Sequence, residues 1–433
     1  MLDVTLIRNH PDQVRDGLRK RAVDADIPAF LALDAEFREA RTAVERLRGE
    51  RRRISAEVAA RHRTDAPAGG LRAEAKALTD RLTEAEAGLA RLAARHREFL
   101  DALPNLPDDD VPAGGKENNQ VVRSVGAPPA FGFVAKDHVR LAQELGLVDY
   151  ERGTRLAGNG HWIYRGEGAA LEWALLNHFL DAHRRAGYEF VLPPHLLTYE
   201  AGYTAGQFPK FAEDVFVVEE GEAAPRREAG RPQRFLLPTA ETALVNLHRG
   251  ETLDERELPR KYVAYTPCYR KESGSHRTAE RGTLRGHQFN KVELFQFVRP
   301  EDSDAAHLEL LARAEELVAG LGVHHRVTHL AAGDTGAAQA RTYDVEVWLP
   351  SLGAYAEVSS VSNARAYQAR RGGIRYRPAG GGKAEYVHTL NASGLATSRL
   401  LPAILEQHQR ADGTVAVPEV LRRWGLPEVL GPA

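Results

Sequence analysis

Two runs of apolar residues, spaced alternately three and four apart, constrain the fold of this chain more than any other feature. Such heptad spacing places one apolar stripe along a helix. The stretch RTDAPAGG at 63–70 separates the two runs. The first run consists of Phe30, Leu33, Phe37, Ala40, Val44, Leu47, Arg51 (its one charged interruption), Ile54 and Val58, and the second of Leu71, Ala75, Leu78, Leu82, Ala85, Leu89, Leu92, His96 and Phe99.

Two heptad segments of similar length around a Pro/Gly turn predict an antiparallel hairpin of helices, a short coiled coil. At 1.5 Å per residue each helix is about 50 Å long, which is too long to lie against an ordinary compact domain. We therefore predict a projecting arm over about residues 30–101, within an N-terminal domain of residues 1–103. The ordinary alternative for such an arm is a spacer or a dimerisation element.

Arginine is concentrated toward the predicted tip of this arm. The chain as a whole has a formal net charge of −2, so the positive charge is local. A local basic end suits the phosphate backbone of a nucleic acid, and a solvated helix face is the alternative. The basic residues are Arg48, Arg51, Arg52, Arg53, Arg61, Arg63 and Arg72, and the acidic residues near them are Glu50, Glu57 and Asp65.

Composition limits the other kinds of site. The single cysteine, Cys268, excludes an intrachain disulfide and a zinc site built from cysteines. The first residues, MLDVTLIRNHPDQV, lack the apolar core of a signal peptide, and the chain contains no apolar run of about 18 residues. We therefore expect a cytoplasmic protein without a membrane partner.

Residues 104–134 contain several prolines and glycines with little periodicity, which is typical of a linker. From residue 135 to residue 433 most strand-like segments follow one another without an intervening helix. This order favours an antiparallel sheet with flanking helices, and so an α+β fold, over a doubly wound parallel fold. The helix-like segments are 136–146, 168–186, 302–321 and 395–409, and the strand-like segments are 160–165, 189–192, 214–218, 234–237, 262–269, 289–298, 324–329, 343–349 and 354–359.

The stretch 261–297 carries the clearest sign of a binding site. Two strand-like runs flank a polar loop rich in Arg, Gly, Ser and Thr, which predicts a long hairpin. Arg270 offers a planar fork for a phosphate or a carboxylate, Phe289 offers a face for a flat base, and Glu293 offers an acceptor. Together they could hold a nucleotide and a small polar molecule. The alternative is a surface hairpin with solvated charges.

Four more stretches are weak signals when each is taken alone. Thr239-Ala-Glu could cap a helix, Glu357-Val-Ser-Ser could be an edge strand, and Arg399 could be an exposed charge on a helix. The stretches are FLLPTAE at 235–241, AEVSSVSN at 356–363, YQARR at 367–371 and NASGLATSR at 391–399.

In this order and at this spacing, the stretches together resemble seryl-tRNA synthetase, a class II aminoacyl-tRNA synthetase. The resemblance covers nearly the whole chain, including IRNHPDQV near the N-terminus, the helical arm, PNLPDDDVP and GQFPKF. Residues 270–289 are similar to motif 2 of the class, and residues 390–406 are similar to motif 3. The resemblance implies a class II catalytic domain over residues 135–433 and a tRNA-binding role for the arm.

The resemblance implies roles for the site residues on the nucleotide side. Arg270 would grip the α-phosphate of ATP and the amino-acid carboxylate, Phe289 would stack on adenine, and Arg399 would hold the γ-phosphate and cover the other adenine face. Glu357 and Ser360 would help to bind Mg²⁺ and the phosphates. The implied ATP-binding residues are Arg270, Lys271, Glu272, Phe289, Glu357, Val358, Ser359, Ser360 and Arg399.

On the amino-acid side, the resemblance implies that Thr239 and Glu241 take the amino group of serine. Glu293 and Ser393 would then lie nearest its hydroxyl group. The implied serine-binding residues are Thr239, Ala240, Glu241, Arg270, Glu293 and Ser393.

The implied reaction joins L-serine to ATP as seryl-adenylate and then passes the seryl group to tRNA(Ser); the family also serylates tRNA(Sec). ATP and Mg²⁺ are the expected cofactors, and a homodimer is the expected assembly. In-line attack on a phosphate needs positioning and charge neutralisation more than a protein nucleophile, and the arginine and carboxylate set suits it. The single cysteine favours the branch of the family that works without zinc.

The sequence departs from the family pattern in three places. The loop after Glu272 reads SGSHRTAERG, Ala392 stands where glycine is usual, and Val361 stands where cysteine is usual. These departures leave open a specialised paralogue that serves antibiotic biosynthesis or self-resistance. The alternative with a non-enzymatic function is a catalytically inactive tRNA-binding homologue. A homologue that loads carrier proteins is disfavoured, because such enzymes lack the arm.

Overall fold

The structure is a computed structural model, and it describes residues 1–64, 67, 69–219, 234–272 and 281–431. Asp65 and residues 273–280, which contain most of the atypical loop after Glu272, lie outside the described residues. The chain divides into two compact units. The helical unit comprises residues 2–18 and 23–104, and the mixed unit comprises Met1, residues 19–22 and residues 105–433.

Helices and strands of the described residues are numbered in chain order. The helices are α1 (Val4–Asn9), α2 (Pro11–Lys20), α3 (Ile27–Arg63), α4 (Gly69–Ala102), α5 (His138–Glu144), α6 (Tyr150–Ala157), α7 (Glu167–Arg185), α8 (Tyr199–Thr204), α9 (Glu241–Leu244), α10 (Ser303–Gly320), α11 (Tyr367–Gly372), α12 (Thr397–Gln407) and α13 (Glu419–Arg422).

The strands are β1 (Gln120–Val125), β2 (Val148–Asp149), β3 (Ile163–Tyr164), β4 (Glu189–Val191), β5 (Leu196–Thr198), β6 (Val217–Val218), β7 (Arg234–Leu236), β8 (Thr252–Asp254), β9 (Arg260–Tyr269), β10 (Gln288–Val298), β11 (His325–His329), β12 (Arg341–Leu349), β13 (Ala354–Arg365), β14 (Arg375–Arg377), β15 (Glu385–Tyr386), β16 (His388–Ala396), β17 (Val415–Ala416) and β18 (Val429–Leu430).

The helical unit is built on the long pair α3 and α4, which confirms the predicted hairpin. These helices contain 37 and 34 residues, or about 55 and 51 Å at 1.5 Å per residue. Helix α3 begins where the Asp26 side chain accepts a hydrogen bond from the amide of Ala29 at 2.9 Å, an N-cap that satisfies a free donor. The predicted heptad positions form the seam, with a buried centre of Val44, Leu47, Ile54, Leu78 and Leu82.

A buried carboxylate anchors the base of this helical pair. Asp34 of α3 is 1% exposed and accepts hydrogen bonds from Arg8 Nε at 2.6 Å and from His96 Nε2 at 3.0 Å. The hydrogen bond from Arg8 holds the pKa of Asp34 below its ordinary value, against the opposing effect of burial. Because a buried charge is costly unless it is paired, these contacts fix α1, α3 and α4 to one another.

The mixed unit is organised around an eight-stranded sheet in the order β1-β11-β12-β13-β16-β10-β9-β4. All neighbouring strands are antiparallel except β4 and β9, which run parallel. The predicted α+β architecture is therefore confirmed. The hairpin predicted around residues 261–297 is the pair β9 and β10, in register from Phe297 opposite Arg260 to Gln288 opposite Tyr269.

Side chains of β10 point alternately to the two faces of the sheet, one of which is apolar and the other of which carries polar side chains. Val292 and Leu294 belong to the core that the sheet shares with α7, α10 and α12. Phe295 and Phe297 point the other way, into a second core with Phe235 and Leu244. Since successive strand residues face opposite sides, Lys291 and Glu293 lie on the same face as Phe295, beyond the edge of that second core.

Two segments behave differently from the prediction. Residues 120–125, which the sequence analysis places in the linker, form β1 at one edge of the sheet. All six residues are exposed, so the strand has no buried face that would impose alternating apolar and polar residues on its sequence. Residues 19–22, which we assigned to the N-terminal domain, group with the mixed unit. No helix among the described residues has the length and apolar character that a membrane crossing requires.

Candidate active site

A cavity of about 500 Å³ opens on the polar face of the eight-stranded sheet. Its floor is formed by β10, β12, β13 and β16, and residues after β7 and β9 close one side. Nearly all the predicted polar site residues meet there. The cavity is lined by, among others, Thr239, Glu241, Arg270, Lys291, Gln339, Asp344, Glu357, Ser360, Asn391, Ser393 and Arg399.

Glu293 is the most enclosed charge of this cavity region. Its side chain is 0% exposed and forms an ion pair with Lys291, whose side chain is 7% exposed. Asn391 Nδ2 donates to Glu293 Oε1 at 3.0 Å, and Thr239 Oγ1 donates to Oε2 at 3.2 Å. Lys291 Nζ also donates to Thr239 Oγ1 at 2.7 Å. The carboxylate is therefore held by a cation, an amide and a hydroxyl group.

Glu241, the first residue of α9, provides a second carboxylate at the same end of the cavity. Gln368 Nε2 donates to its Oε1 at 2.7 Å, and Gln339 Nε2 donates to the same oxygen at 3.3 Å. Burial, together with repulsion from Glu293, raises the pKa of Glu241 to about 7. An ammonium group that entered this end would relieve that repulsion and favour the ionised carboxylate.

Arg270 lies at the end of β9, between this acidic end and an aromatic ring. Its Nε donates to the carbonyl oxygen of Pro238 at 3.1 Å, and its guanidinium carbon lies 5.2 Å from the centre of the Phe289 ring. Phe289 is half-buried and also lines a smaller neighbouring cavity of about 210 Å³ beside Trp162. The pair offers a planar cation and a π-face side by side.

The other end of the cavity carries Glu357 and Arg399. Arg399 Nη1 lies 3.2 Å from Glu357 Oε2 and donates to the carbonyl oxygen of the same residue at 3.1 Å. Burial would raise the pKa of Glu357, but the guanidinium groups of Arg399 and Arg270 outweigh it and hold the pKa below its ordinary value. Glu357 is therefore ionised at neutral pH.

A β-bulge brings Glu357 and Ser360 to the same face, although they are three residues apart. The register of β13 against β12 shifts between Glu346, opposite Glu357, and Val345, opposite Ser359. The extra residue, Val358, has its side chain in the core. Strict alternation would have sent Glu357 and Ser360 to opposite faces.

This end could hold a divalent cation together with phosphate oxygens. Asp344 Oδ1 is buried without a hydrogen-bond partner among the described residues, and burial together with repulsion from Glu357 raises the pKa of Asp344 well above its ordinary value. A cation would relieve that repulsion. No cluster of three metal-ligating side chains occurs in the described part of the chain, but Mg²⁺ commonly takes one or two carboxylates and completes its shell with water and substrate phosphates.

The remaining predicted residues lie around the cavity without lining it by their side chains. Ala240 and Val358 are buried in the two cores. Ser359 Oγ donates to the carbonyl oxygen of Ser393 at 2.5 Å. The amide of Lys271 donates to the carbonyl oxygen of Asp214 at 3.1 Å. Glu272 forms an ion pair with Arg285 and faces an adjoining cavity of about 530 Å³.

The arginines predicted to bind a phosphate backbone lie on α3 and α4, and all are exposed. One part of the prediction was wrong: Arg48 does not face only the acidic residues that we named, because it pairs with Glu45 at 2.7 Å and with Glu86 at 2.8 Å. Arg61 pairs with Glu57 at 3.1 Å. Arg51, Arg52, Arg53, Arg63 and Arg72 have no ion pair with any residue that the structure describes.

Sequence reasoning missed several residues that complete the site. Lys291 precedes Glu293 by two positions on a strand, so the period of two could have placed both on one face. Asp344 and Glu346 follow the same rule on β12. Asn391 precedes Ser393 by two positions on β16, so the same rule applies to it. Gln339 and Gln368 carry no comparable signal, because their contacts join them to Glu241 across 98 and 127 residues.

Comparison with known proteins agrees with this architecture. Residues 1–107 match the family model described as "Seryl-tRNA synthetase N-terminal domain", and residues 226–408 match "tRNA synthetase class II core domain (G, H, P, S and T)".

Among curated proteins, the chain is 54% identical over 430 residues to "Serine--tRNA ligase 2" of Clostridium acetobutylicum, covering 98% of this chain and 99% of that protein. It is 44% identical to "Serine--tRNA ligase" of Thermodesulfovibrio yellowstonii, with 98% of each chain covered.

Two solved structures are similar over nearly their whole length. Seryl-tRNA synthetase from Pyrococcus horikoshii complexed with ATP is 34% identical with a TM-score of 0.88, and all of both chains is covered. Cytoplasmic serine–tRNA ligase from Naegleria fowleri in complex with AMP is 27% identical with a TM-score of 0.84, covering 99% of this chain and 98% of that one. The chain therefore belongs to the seryl-tRNA synthetase family of class II aminoacyl-tRNA synthetases.

Proposed function

We propose that this serine–tRNA ligase activates L-serine with ATP in the sheet cavity and then transfers the seryl group to tRNA(Ser), and to tRNA(Sec) where the cell makes one. One observation carries the proposal. A buried carboxylate with its own cation, Glu293 with Lys291, lies on the same sheet face as the arginine and carboxylate set of Arg270, Glu357 and Arg399. The comparisons give no support to an inactive homologue or to a specialised paralogue.

Serine occupies the acidic end of the cavity. Its ammonium group lies between Glu241 and the hydroxyl of Thr239, and its own hydroxyl donates to Glu293 beside Ser393. A site that hydrogen-bonds a substrate hydroxyl disfavours alanine strongly, because alanine leaves a buried polar group unpaired. Threonine, which also carries a hydroxyl group, must be excluded by the bulk of its additional methyl group.

ATP lies with its α-phosphate at Arg270, its adenine on Phe289 and its γ-phosphate at Arg399. Lys271, Glu272 and the backbone of residues 357–360 complete the nucleotide contacts. A carboxylate oxygen of serine attacks the α-phosphorus, and the bond from that phosphorus to the bridging oxygen breaks as pyrophosphate leaves. The guanidinium groups stabilise the charge that spreads over the phosphate oxygens, and no protein nucleophile is needed.

Mg²⁺ fits the opposite end of the cavity, where Glu357 and Ser360 would hold it beside the orphaned Asp344 oxygen. The bound ion supplies neutralisation of the phosphate charge. The protein's own contribution is to keep Glu357 ionised through Arg399 and Arg270. Zinc has no role in this proposal.

The second step requires the 3′ end of the tRNA at the same cavity. A hydroxyl group of the terminal ribose attacks the adenylate carbonyl, an ester forms, and AMP leaves. We assign tRNA binding to residues 1–103, through the arginines of α3 and α4, and catalysis to residues 135–433. The exposed residues Arg51, Arg52, Arg53, Arg63 and Arg72 suit an RNA backbone, which proteins read largely by shape and charge.

We further propose that the enzyme is a homodimer in the cytoplasm. Strand β4 is an edge of the large sheet, and apolar side chains around it are open to solvent: Trp173 is 52% exposed, Phe190 38% and Leu192 72%. Clustered exposed apolar residues of this size mark interaction surfaces. A second copy of the chain is the partner that the family membership favours.

The proposal is tested with the purified protein in two assays. Exchange of pyrophosphate into ATP, measured without tRNA, should depend on serine and not on other amino acids. Labelled serine should then become attached to tRNA(Ser). Exchange that depends on a different amino acid would reject the assignment of the pocket, and exchange without attachment would reject the transfer step.

A further inference from the structure

Arg21 lies far from the cavity in sequence but is bound to the loop that forms one of its walls. It follows α2 directly, and its side chain is 7% exposed. Its Nη1 donates to the carbonyl oxygens of Ala332 at 3.1 Å, Thr335 at 3.0 Å and Gly336 at 3.4 Å, and its Nη2 donates to the carbonyl oxygen of Gln339. One guanidinium group thus gathers four backbone carbonyls of a single loop.

Those carbonyls belong to residues 330–340, which connect β11 to β12. The loop contains two glycines and no regular helix or strand, and it is built from short turns in which the amides of Asp334 and Thr335 donate to the carbonyl oxygen of Ala331. Loss of Arg21 would remove a donor from the carbonyl oxygens of the buried residues Ala332, Thr335 and Gln339. The carbonyl oxygen of Gly336 would keep the amide of Gln339 as a donor, at 2.9 Å. The planar fork of arginine offers five donors in a fixed geometry, which suits several converging carbonyls.

The same loop carries cavity residues. Asp334, Gly336 and Gln339 line the cavity, and the side chain of Gln339 donates to Glu241 Oε1 at 3.3 Å. Arg21 therefore holds the backbone of a residue whose side chain holds Glu241. The segment 19–22 groups with the mixed unit, whereas the residues on both sides of it in the chain belong to the helical unit.

We propose that Arg21 is a positioning residue for the amino-acid pocket: it fixes the loop 330–340 so that Gln339 stays on Glu241, and it thereby sets the affinity for serine. The inference rests on the proposed function, since it takes Glu241 as the group that receives the ammonium of serine. Arg21, in the short segment between α2 and α3, then supports the amino-acid pocket without touching the substrate.

The test uses the full chain with Arg21→Met, the conservative Arg21→Lys, and Lys20→Met as a matched control. Lys20 is the neighbouring cation, but it donates to the carbonyl oxygen of Asp109 at 2.9 Å in an exposed contact and does not touch the loop. Pyrophosphate exchange is measured with serine and ATP varied separately, and thermal unfolding is measured beside it.

For Arg21→Met we expect KM for serine to rise about tenfold or more, the effect of losing a hydrogen bond to a charged group, while KM for ATP changes less than about twofold. Arg21→Lys should recover part of the loss, and Lys20→Met should behave as the wild type. In a double-mutant cycle with Gln339→Met, the two effects on serine should be less than additive, because both act on Glu241.

Several results would overturn the inference. These are an unchanged KM for serine in Arg21→Met, equal rises in KM for serine and ATP, a lowered melting temperature with unchanged kinetics, or additive effects in the cycle. If Arg21→Met does not fold, the cycle of Arg21→Lys with Gln339→Met decides by the same criterion of additivity. A wild-type enzyme without serine-dependent exchange would instead refute the proposed function.

Discussion

Replacing Lys291 by methionine tests the core of the serine pocket. The Lys291 ammonium group is the cation of Glu293, and it also donates to Thr239 Oγ1 at 2.7 Å. The two side chains of the pair are 7% and 0% exposed. Methionine keeps the length and the apolar stem of lysine but removes the charge and its donors, so Glu293 remains buried with only the amide of Asn391 and the hydroxyl of Thr239.

Removal of one partner from a buried ion pair typically costs about 3–5 kcal/mol, because the other charge is left uncompensated. The free energy of unfolding should therefore fall by roughly that amount in Lys291→Met. Serine binding should suffer as well, since the carboxylate turns toward any remaining donor and no longer presents its oxygen to the substrate hydroxyl. At 1.4 kcal/mol per tenfold, a loss of about 3 kcal/mol in the pocket lowers kcat/KM for serine by roughly 10²-fold.

A double variant separates stability from recognition. Lys291→Met combined with Glu293→Gln removes both charges, so no uncompensated charge stays buried, and it is that charge that makes the loss of one partner costly. The double variant should therefore regain most of the unfolding free energy that the single variant loses. It should not regain serine activation, because the charged acceptor for the hydroxyl is gone.

Lys261→Met is the matched control. Lys261 lies on the neighbouring strand β9 and pairs with Glu309 at 2.6 Å, but these side chains are 24% and 33% exposed. A partly solvated pair contributes about 1 kcal/mol or less. Urea unfolding and pyrophosphate exchange with serine and with alanine are measured for all variants. Equal losses for Lys261→Met and Lys291→Met, or unchanged serine kinetics in Lys291→Met, would refute the reasoning.

Three further predictions address the other parts of the site. Arg270→Ala should abolish pyrophosphate exchange in a folded protein, because it removes a charge-assisted contact to the reacting phosphate in a closed site; exchange at the wild-type rate would show that Arg270 does not bind the nucleotide. Burial raises the pKa of Glu241 to about 7, and its protonated form cannot pair with an ammonium group, so KM for serine should fall as the pH rises through about 7. KM for ATP should not follow this dependence, and Glu241→Gln should remove it. Substituting Arg51, Arg52 and Arg53 of α3 by glutamine should leave exchange unchanged and weaken tRNA binding, and the slope of log affinity against log salt concentration should become shallower by about 0.7–0.9 per lost phosphate contact. The control substitutes three other arginines of the helical pair, Arg41 of α3 and Arg91 and Arg95 of α4, which lie farther from the turn between the helices; equal effects in the two variants would refute a specific role of the tip.

The parts of this structure that the sequence predicted are those with a local period. The seam of α3 and α4 repeats every three to four residues, and successive residues of β10 face opposite sides of the sheet, so both patterns can be counted in the sequence. The bulge at Val358 adds one residue to a strand, and this insertion has no reliable sequence signal, yet it decides that Glu357 and Ser360 share a face. The resemblance to the family identifies these two residues as site residues, whereas strict alternation would place them on opposite faces of the sheet.

The beginning of the predicted linker is bound to distant parts of the chain. Its prolines and glycines indicate a lack of periodic structure, but they do not report hydrogen bonds to distant segments. Asn105 Nδ2 donates to the carbonyl oxygens of Ala338 at 3.0 Å and Ala364 at 2.9 Å. Asp108 accepts from Arg365 Nη2 at 2.6 Å. These residues lie at the beginning of the predicted linker, and they hold the ends of the cavity loop and of β13.

The loop 330–340 is thus bound from two sides by residues that lie outside the predicted catalytic domain. Arg21 binds its carbonyl oxygens at residues 332–339, and Asn105 binds the carbonyl oxygen of Ala338. Turns inside the loop satisfy part of its polar groups, and the buried polar groups that remain need partners from elsewhere. Because Gln339 on this loop contacts Glu241, the geometry of the amino-acid pocket depends on both flanks of the helical unit in the sequence. A domain boundary predicted from composition, with RNA binding on one side and catalysis on the other, therefore separates Arg21 and Asn105 from the pocket that they stabilise.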